Sequence, residues 1–125
     1  MDITEKIKSY EDACEALELN PENLPVVENL LKKDKKSIIA YYKLTIIIRA
    51  LNEGWEPNWS DWNEKKYFNW FFSADGSAAG FADAYSNDAP MSASTNIGSR
   101  LCFKTRKLAT YARLSFASLY YEYLF

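Results

Sequence analysis

The chain has 125 residues, enough for one domain that buries roughly two thirds of its unfolded surface. A net charge of −2 excludes a globally basic nucleic-acid binder, and the absence of histidine removes imidazole triads, imidazole general bases and most zinc sites in one step. Aromatics stand out from an otherwise ordinary composition: four Trp, nine Tyr and seven Phe, side chains that build cores and adhesive surfaces alike.

Asp2 to Lys8 predicts a short helical turn. Ser9 then reads as an N-cap before Tyr10-Glu11-Asp12, with acids in the first turn. Ala13, Cys14, Ala16 and Leu17 share one face of this helix, and Asn20-Pro21 ends it. Pro25 suits the start of another short helix through Leu31, with Val26, Val27, Leu30 and Leu31 as its apolar residues. The charge run Lys32-Lys33-Asp34-Lys35-Lys36 reads as a solvated connection. Residues 35–53 give the clearest helix. Ile38, Ile39, Tyr42, Ile46 and Ala50 keep helical spacing, and Leu44, Ile47, Ile48 and Leu51 widen the stripe until most of the circumference is apolar, as in a central helix. Gly54 supplies the left-handed position that closes it.

Residues 55–64 form a loop with Trp55, Pro57, Trp59 and Trp62. The period then changes from 3.6 to 2. Lys66 to Phe72 reads as a strand, Asp75-Gly76 as a hairpin turn, Gly80 to Tyr85 as a second strand, 86–96 as a loop and Gly98 to Lys104 as a third strand. Thr105 caps a final helix to the C-terminus, with Leu108, Ala109, Ala112, Phe116, Leu119, Tyr120 and Tyr123 on its buried side. The expected fold is a single domain over residues 1–125. It is α+β: N-terminal helices, a three-stranded antiparallel meander, and a C-terminal helix packed on one sheet face.

Cys14 and Cys102 are far apart and read as two buried thiols of a reducing compartment. No signal-peptide core opens the chain and no apolar run approaches a membrane span, so the expected location is cytoplasmic (in a host cell) or in a virion, with no membrane partner. No phosphate-cradling glycine motif is present, and no cofactor or metal is expected. Glu53, Glu56, Asp61 and Glu64 flank the Trp loop. Acid/base work by a carboxylate pair wants rigid strands in a cleft, and a polar loop does not offer that.

The strand faces carry more information. Alternation puts Phe68, Trp70 and Phe72 on one side of the first strand and Tyr67, Asn69 and Phe71 on the other. Burying Phe68 and Trp70 with Leu101 and Phe103 would leave Tyr67 and Phe71 beside Arg100 and Lys104, where they either pack under the Trp loop or are displayed to a partner. Rings with nearby cations suit a protein-binding hot spot, and equally a surface on which single-stranded bases stack. The charge is split as well: residues 1–64 carry net −5 and residues 65–125 net +3. Arg106 and Lys107 fall in the first turn of the last helix, where cations oppose the dipole. The candidate partner-binding residues are Trp55, Trp59, Trp62, Tyr67, Phe71, Arg100 and Lys104.

Five segments in order are familiar together. They are Ser9-Tyr10-Glu11-Asp12-Ala13-Cys14, then Ala50-Leu51-Asn52-Glu53-Gly54-Trp55-Glu56-Pro57-Asn58-Trp59, then Lys66-Tyr67-Phe68-Asn69-Trp70-Phe71, Gly98-Ser99-Arg100-Leu101-Cys102-Phe103-Lys104-Thr105, and Leu108-Ala109-Thr110-Tyr111-Ala112. On these the chain resembles a group of small proteins encoded by Bacteroidetes and by their phages and prophages. It departs from that pattern at Asn69, where Pro is common, at Arg106 and Lys107, where acids are common, at Arg113, which replaces a Gly, and across the Ser- and Ala-rich 77–95. The resemblance carries no catalytic residue. It implies a phage setting of virion parts, DNA-handling accessories and inhibitors of host defence. The expected function is a non-catalytic protein-binding or assembly module, with self-association or a protein partner. The alternatives are a single-stranded nucleic-acid binder using the aromatic and basic sheet face, and a small carboxylate hydrolase.

Overall fold

The computed structural model describes residues 1–61, 63–71, 85–88 and 99–125. Short capped helices open the chain. The Asp2 carboxylate accepts from the Thr4 N–H while Glu5 accepts from the Asp2 N–H, a reciprocal pair that starts α1 (Ile3–Lys6). Ser9 Oγ accepts from the Asp12 N–H at 3.0 Å and starts α2 (Tyr10–Ala16). Ile7, between the two, is fully buried.

The expected helix from Pro25 to Leu31 does not form; these residues are turns and extended chain. Val26 is 85% exposed and Leu31 74%, so no described residue covers the apolar face such a helix would need. The lysine run is not a connection either. It is the opening of α3 (Lys32–Leu51), which starts without a side-chain cap and has Asp34 in its first turn. Lysine is a good helix former, and the chain spends its polar residues where the helix is still outside the core.

The second half of α3 is the centre of the molecule. Leu44, Ile46, Ile47, Ile48, Ala50 and Leu51 are buried there, and α3 packs most extensively on α5 and then on α2. Burial of each large aliphatic side chain contributes about 1.5–3 kcal/mol. Asn52 ends the helix, and Glu53 and Gly54 follow with φ of 49° and 88°, reversing the chain into the Trp loop.

The α+β expectation is corrected. Among the described residues helices dominate, and the three-stranded meander is not seen. Among the described residues β1 (Tyr67–Trp70) forms its ladder with the short β2 (Tyr85–Asp88), antiparallel, with Tyr67 opposite Asp88 and Trp70 opposite Tyr85. The segment read as a third strand gives a single bridge, in which Tyr67 N–H donates to Phe103 C=O at 3.1 Å and Phe103 N–H donates back at 2.6 Å. On its C-terminal side it cannot extend, because Thr105 caps α4 (Arg106–Ser115) two residues later. β2 also lies later than the expected Gly80–Tyr85, most of which, with the Asp75-Gly76 turn, falls outside the described residues.

The last helix is two. Phe116, at φ −124° and ψ 28°, is not helical, and it separates α4 from α5 (Ala117–Leu124). No Gly or Pro announces the break. Phe116 turns its ring inward against Tyr111, edge to face at 6.0 Å, and the change of direction lets α5 lie along α3. Ser37 Oγ, on α3, donates to the Tyr123 carbonyl of α5 at 2.7 Å.

Candidate functional site

Two buried polar side chains organise the chain around the Trp loop. Asn52, at the end of α3, works as a substitute strand neighbour. Its Nδ2 donates to the Cys102 carbonyl at 3.0 Å and its Oδ1 accepts from the Lys104 N–H at 3.0 Å. Phe103, between those two residues, gives its own N–H and C=O to Tyr67 on the opposite edge. One residue is thus held from both sides, and its ring is fully buried. The second is Lys66, which is 0% exposed. Its Nζ pairs with Glu64 Oε1 at 3.1 Å, donates to the carbonyls of Asp61 and Glu64 at 3.2 and 3.3 Å, and lies 5.3 Å from the centre of the Trp59 ring. Glu64 Oε1 also accepts from the Asn58 N–H at 2.7 Å. A buried cation needs this enclosure of acceptors, and the loop folds around it.

Between this loop, one side of α3 and residues 99–102 lie three open hollows that share lining residues, of about 580, 480 and 440 Å³, together a groove. Trp59 and Arg100 line the first, with Tyr41 and Tyr123. Trp55, Trp59, Arg49, Arg100 and Glu56 line the second. Tyr41, Tyr42, Arg49 and Arg100 line the third, with Leu19 and Ile38 at its apolar end. Arg100 borders all three. Arg49 and Arg100 are exposed, and neither makes an ion pair with a described residue. Large rings around unpartnered guanidinium groups are the side chains enriched where proteins bind proteins.

The structure brings three of the expected site residues together here: Trp55, Trp59 and Arg100. Trp62 lies outside the described residues. Lys104 is exposed but does not line the groove. Tyr67 and Phe71 are placed on the opposite face from the one expected. The Tyr67, Asn69 and Phe71 side faces the helices: Tyr67 and Phe71 pack against the core, and Phe71 stacks on Tyr120 at 4.5 Å. Asn69 Nδ2, between them, donates to the Ala109 carbonyl at 2.9 Å and contacts the Tyr120 hydroxyl at 3.3 Å. Arg106 lies 5.2 Å from the centre of the Tyr67 ring. The displayed platform for stacked bases is therefore absent from this face. A polar amide between two aromatics hid the inward side, since alternation alone cannot tell a satisfied Asn from a solvated one.

Tyr41, Thr45 and Arg49 were missed as groove residues. With Asn52 they stand at positions i, i+4, i+8 and i+11 of α3, a single polar and aromatic stripe on a helix otherwise apolar on most sides. That stripe was a readable signal.

Burial pushes the Cys102 thiol up to about 11, with Lys66 pulling against it, so it is no ready nucleophile. Burial also raises the Tyr120 phenol, and burial with the neighbouring Cys14 raises that of Tyr10. Of the loop carboxylates, Glu64 is engaged by Lys66 and Asn58, and Asp61 Oδ1 accepts from the Asn63 N–H at 2.9 Å. No metal-holding group of three acid or thiol side chains occurs among the described residues, and no described helix is long and apolar enough to cross a membrane. No family model, curated protein or solved structure matches the chain.

Proposed function

We propose that this chain is a non-catalytic protein-binding or assembly module that engages its partner along the groove where Trp55, Trp59 and Arg100 meet. The observation that carries this reading is the position of Arg100. It is exposed, lacks an ionic partner among the described residues, and borders all three hollows beside two indoles. Aromatic anchors supply contact area at low entropic cost, and a planar guanidinium supplies directional hydrogen bonds at the rim. In the groove the rings and guanidinium groups offer adhesion, and the thiol that lines it, Cys102, is kept neutral by burial. The resemblance to Bacteroidetes and phage small proteins adds a setting to this reading, that of a virion component or an inhibitor of host defence.

Photo-crosslinking tests it. A benzophenone amino acid at Ser99, on the groove, should yield a protein adduct that Trp55→Ala diminishes. The same group at Leu114, exposed on α4, should not. Equal adducts from both positions, or none from Ser99, would overturn the proposal.

A further inference from the structure

We infer that the lysine-bearing face at the start of α3 docks the chain peripherally on an anionic lipid bilayer. The groove plays no part in this, because it opens on another side of the same helix. Lys32, Lys35 and Lys36 share one face by helical spacing, and Lys35 and Lys36 line a hollow of about 170 Å³ between α3 and α5 with Ile39, Lys43 and Leu119. Asp34, the acid within the run, stands two residues before Lys36 and so turns away from it. Tyr41, on the groove, lies about 140° around the helix from Lys36. The cations are concentrated rather than spread. Residues 32–43 carry five lysines and one aspartate, net +4, whereas residues 1–31 carry two lysines and eight acids, net −6. Lys32 and Lys36 are exposed and Lys35 is half-buried, and none of the three forms an ion pair with a described residue. Glu122, the acid that lines the hollow, is itself exposed. The fold gains little locally from these lysines, since cations at the start of a helix oppose its dipole.

Apolar side chains decide which anionic surface fits. Leu31 stands one turn before Lys35, whose N–H donates to its carbonyl at 3.0 Å, yet most of its side chain is in water. Val26, barer still, precedes a turn in which the Leu30 N–H donates to the Val27 carbonyl at 3.0 Å. Leu30 is exposed, and so is Leu124 on α5, next to the Tyr123 carbonyl that Ser37 holds. Cations with bare aliphatic side chains among them match the boundary of a bilayer, where anionic headgroups meet acyl chains. A nucleic-acid backbone would satisfy the lysines and leave Leu31 and Val26 in water. A protein partner is better served by the groove, since lysine is depleted from protein interfaces where arginine and large rings are enriched. Lysine's flexible stem and compact charge suit headgroups that diffuse rather than hold fixed positions. The expectation of no membrane partner rested on the lack of a spanning run. No described helix is long and apolar enough to cross, and attachment to a surface needs none.

Vesicle co-sedimentation provides the test, with the full chain and vesicles of phosphatidylcholine alone or mixed with phosphatidylserine. The wild-type chain should sediment with the mixed vesicles at low salt, stay in solution with phosphatidylcholine alone, and be released as salt is raised. Lys32→Gln/Lys36→Gln should weaken binding about 25-fold, roughly fivefold for each lysine near the surface. Leu31→Ser should weaken it about fivefold or more through lost apolar burial. Lys6→Gln/Lys104→Gln removes the same charge from exposed positions outside the face and should leave binding unchanged. Circular dichroism of every variant should match the wild type, because all the substituted positions are exposed. A wild-type chain that stays in solution with the mixed vesicles at low salt overturns the inference. So does equal sedimentation with both compositions, an equal loss in the two lysine pairs, or full binding by Leu31→Ser. Labelled duplex DNA titrated in parallel separates the two sources of phosphate. If it binds with the same loss in Lys32→Gln/Lys36→Gln and none in Leu31→Ser, the face belongs to nucleic acid and the lipid assignment fails. The Ser99 crosslink reads the other side of α3, so neither result decides the other.

Discussion

The wall of the groove and its mouth are built from the same kinds of residue and treat them in opposite ways. In the wall Asn52 is buried, and so is Lys66 behind Trp59, and their polar atoms reach backbone carbonyls, an N–H and a carboxylate. At the mouth, Arg49, Arg100 and Glu56 are exposed and unpaired among the described residues. A polar group taken out of water must find a partner within the fold, whereas one left in water can wait for a partner from outside. Burial with full satisfaction therefore marks the residues that hold the shape, and exposure without satisfaction marks those that use it. The contrast fails if wall substitutions leave stability unchanged or if mouth substitutions lower it.

The largest effect belongs to Asn52. Asn52→Ala leaves the Cys102 carbonyl and the Lys104 N–H without their partner and loosens the clasp on Phe103. Two orphaned backbone groups at a buried site should cost about 2–4 kcal/mol. Urea denaturation should show a lower midpoint with little change in slope. A loss under 1 kcal/mol, on the order of one ordinary surface change, would mean that the bridge to Tyr67 holds Phe103 alone.

Lys66 should come next. Lys66→Met keeps the apolar stem and removes the cation, leaving Glu64 unpaired. Because Glu64 keeps 24% of its side-chain surface in water, it can be rehydrated, and the expected cost is about 1–2 kcal/mol rather than that of a fully buried pair. Trp59 should report locally, with red-shifted emission once the loop loses its centre. Unchanged emission would argue that the loop does not depend on the lysine.

These two side chains also explain how much of the molecule was legible from sequence. Capped helices were readable, since Ser9 and Thr105 bond the N–H groups expected of them and the apolar breadth of 38–51 marks a central helix. Local signals have local causes. The third strand was misread because alternation over 98–104 is equally satisfied by one bridge plus a side-chain amide from 50 residues away. The helix expected at 25–31 lacked a surface to pack on, which no local pattern reveals. The strand faces were inverted because Asn69 is inside, held by Ala109 and Tyr120. Lys66 reads in the sequence as the first residue of a strand and is instead among the most buried of the described residues. In each failure a long-range partner satisfied a residue that appeared, by type, to require water. The groove was half visible for the same reason: its indoles and Arg100 are conspicuous by type, while Arg49 belongs to a helix that otherwise reads as core.

The Cys102 thiol sharpens the contrast through pH. Burial holds it at about 11 in the folded chain, against an ordinary value of 9.0. A raised folded value means that the neutral thiol is what folding favours. Its contribution is complete below pH 9.0, declines once the unfolded thiol ionises, and is gone as pH passes through about 11. Cys102→Ala should therefore flatten the decline in stability over that window and leave neutral pH comparatively unaffected in slope. Alkylation should agree: below pH 9 the folded chain should react at Cys102 far more slowly than the urea-unfolded chain. Fast labelling of the native protein would place the thiol at the mouth rather than in the wall.

The smallest expected effect is on the stability of the mouth itself. Arg100 is exposed and has no ionic partner among the described residues, so Arg100→Glu breaks no ion pair with them and should change unfolding free energy by no more than about 0.5 kcal/mol. Its urea midpoint should overlay that of the wild type. A lowered midpoint would make Arg100 part of the wall, and the separation between residues that hold the groove and residues that act through it would collapse at the residue on which the proposed function depends.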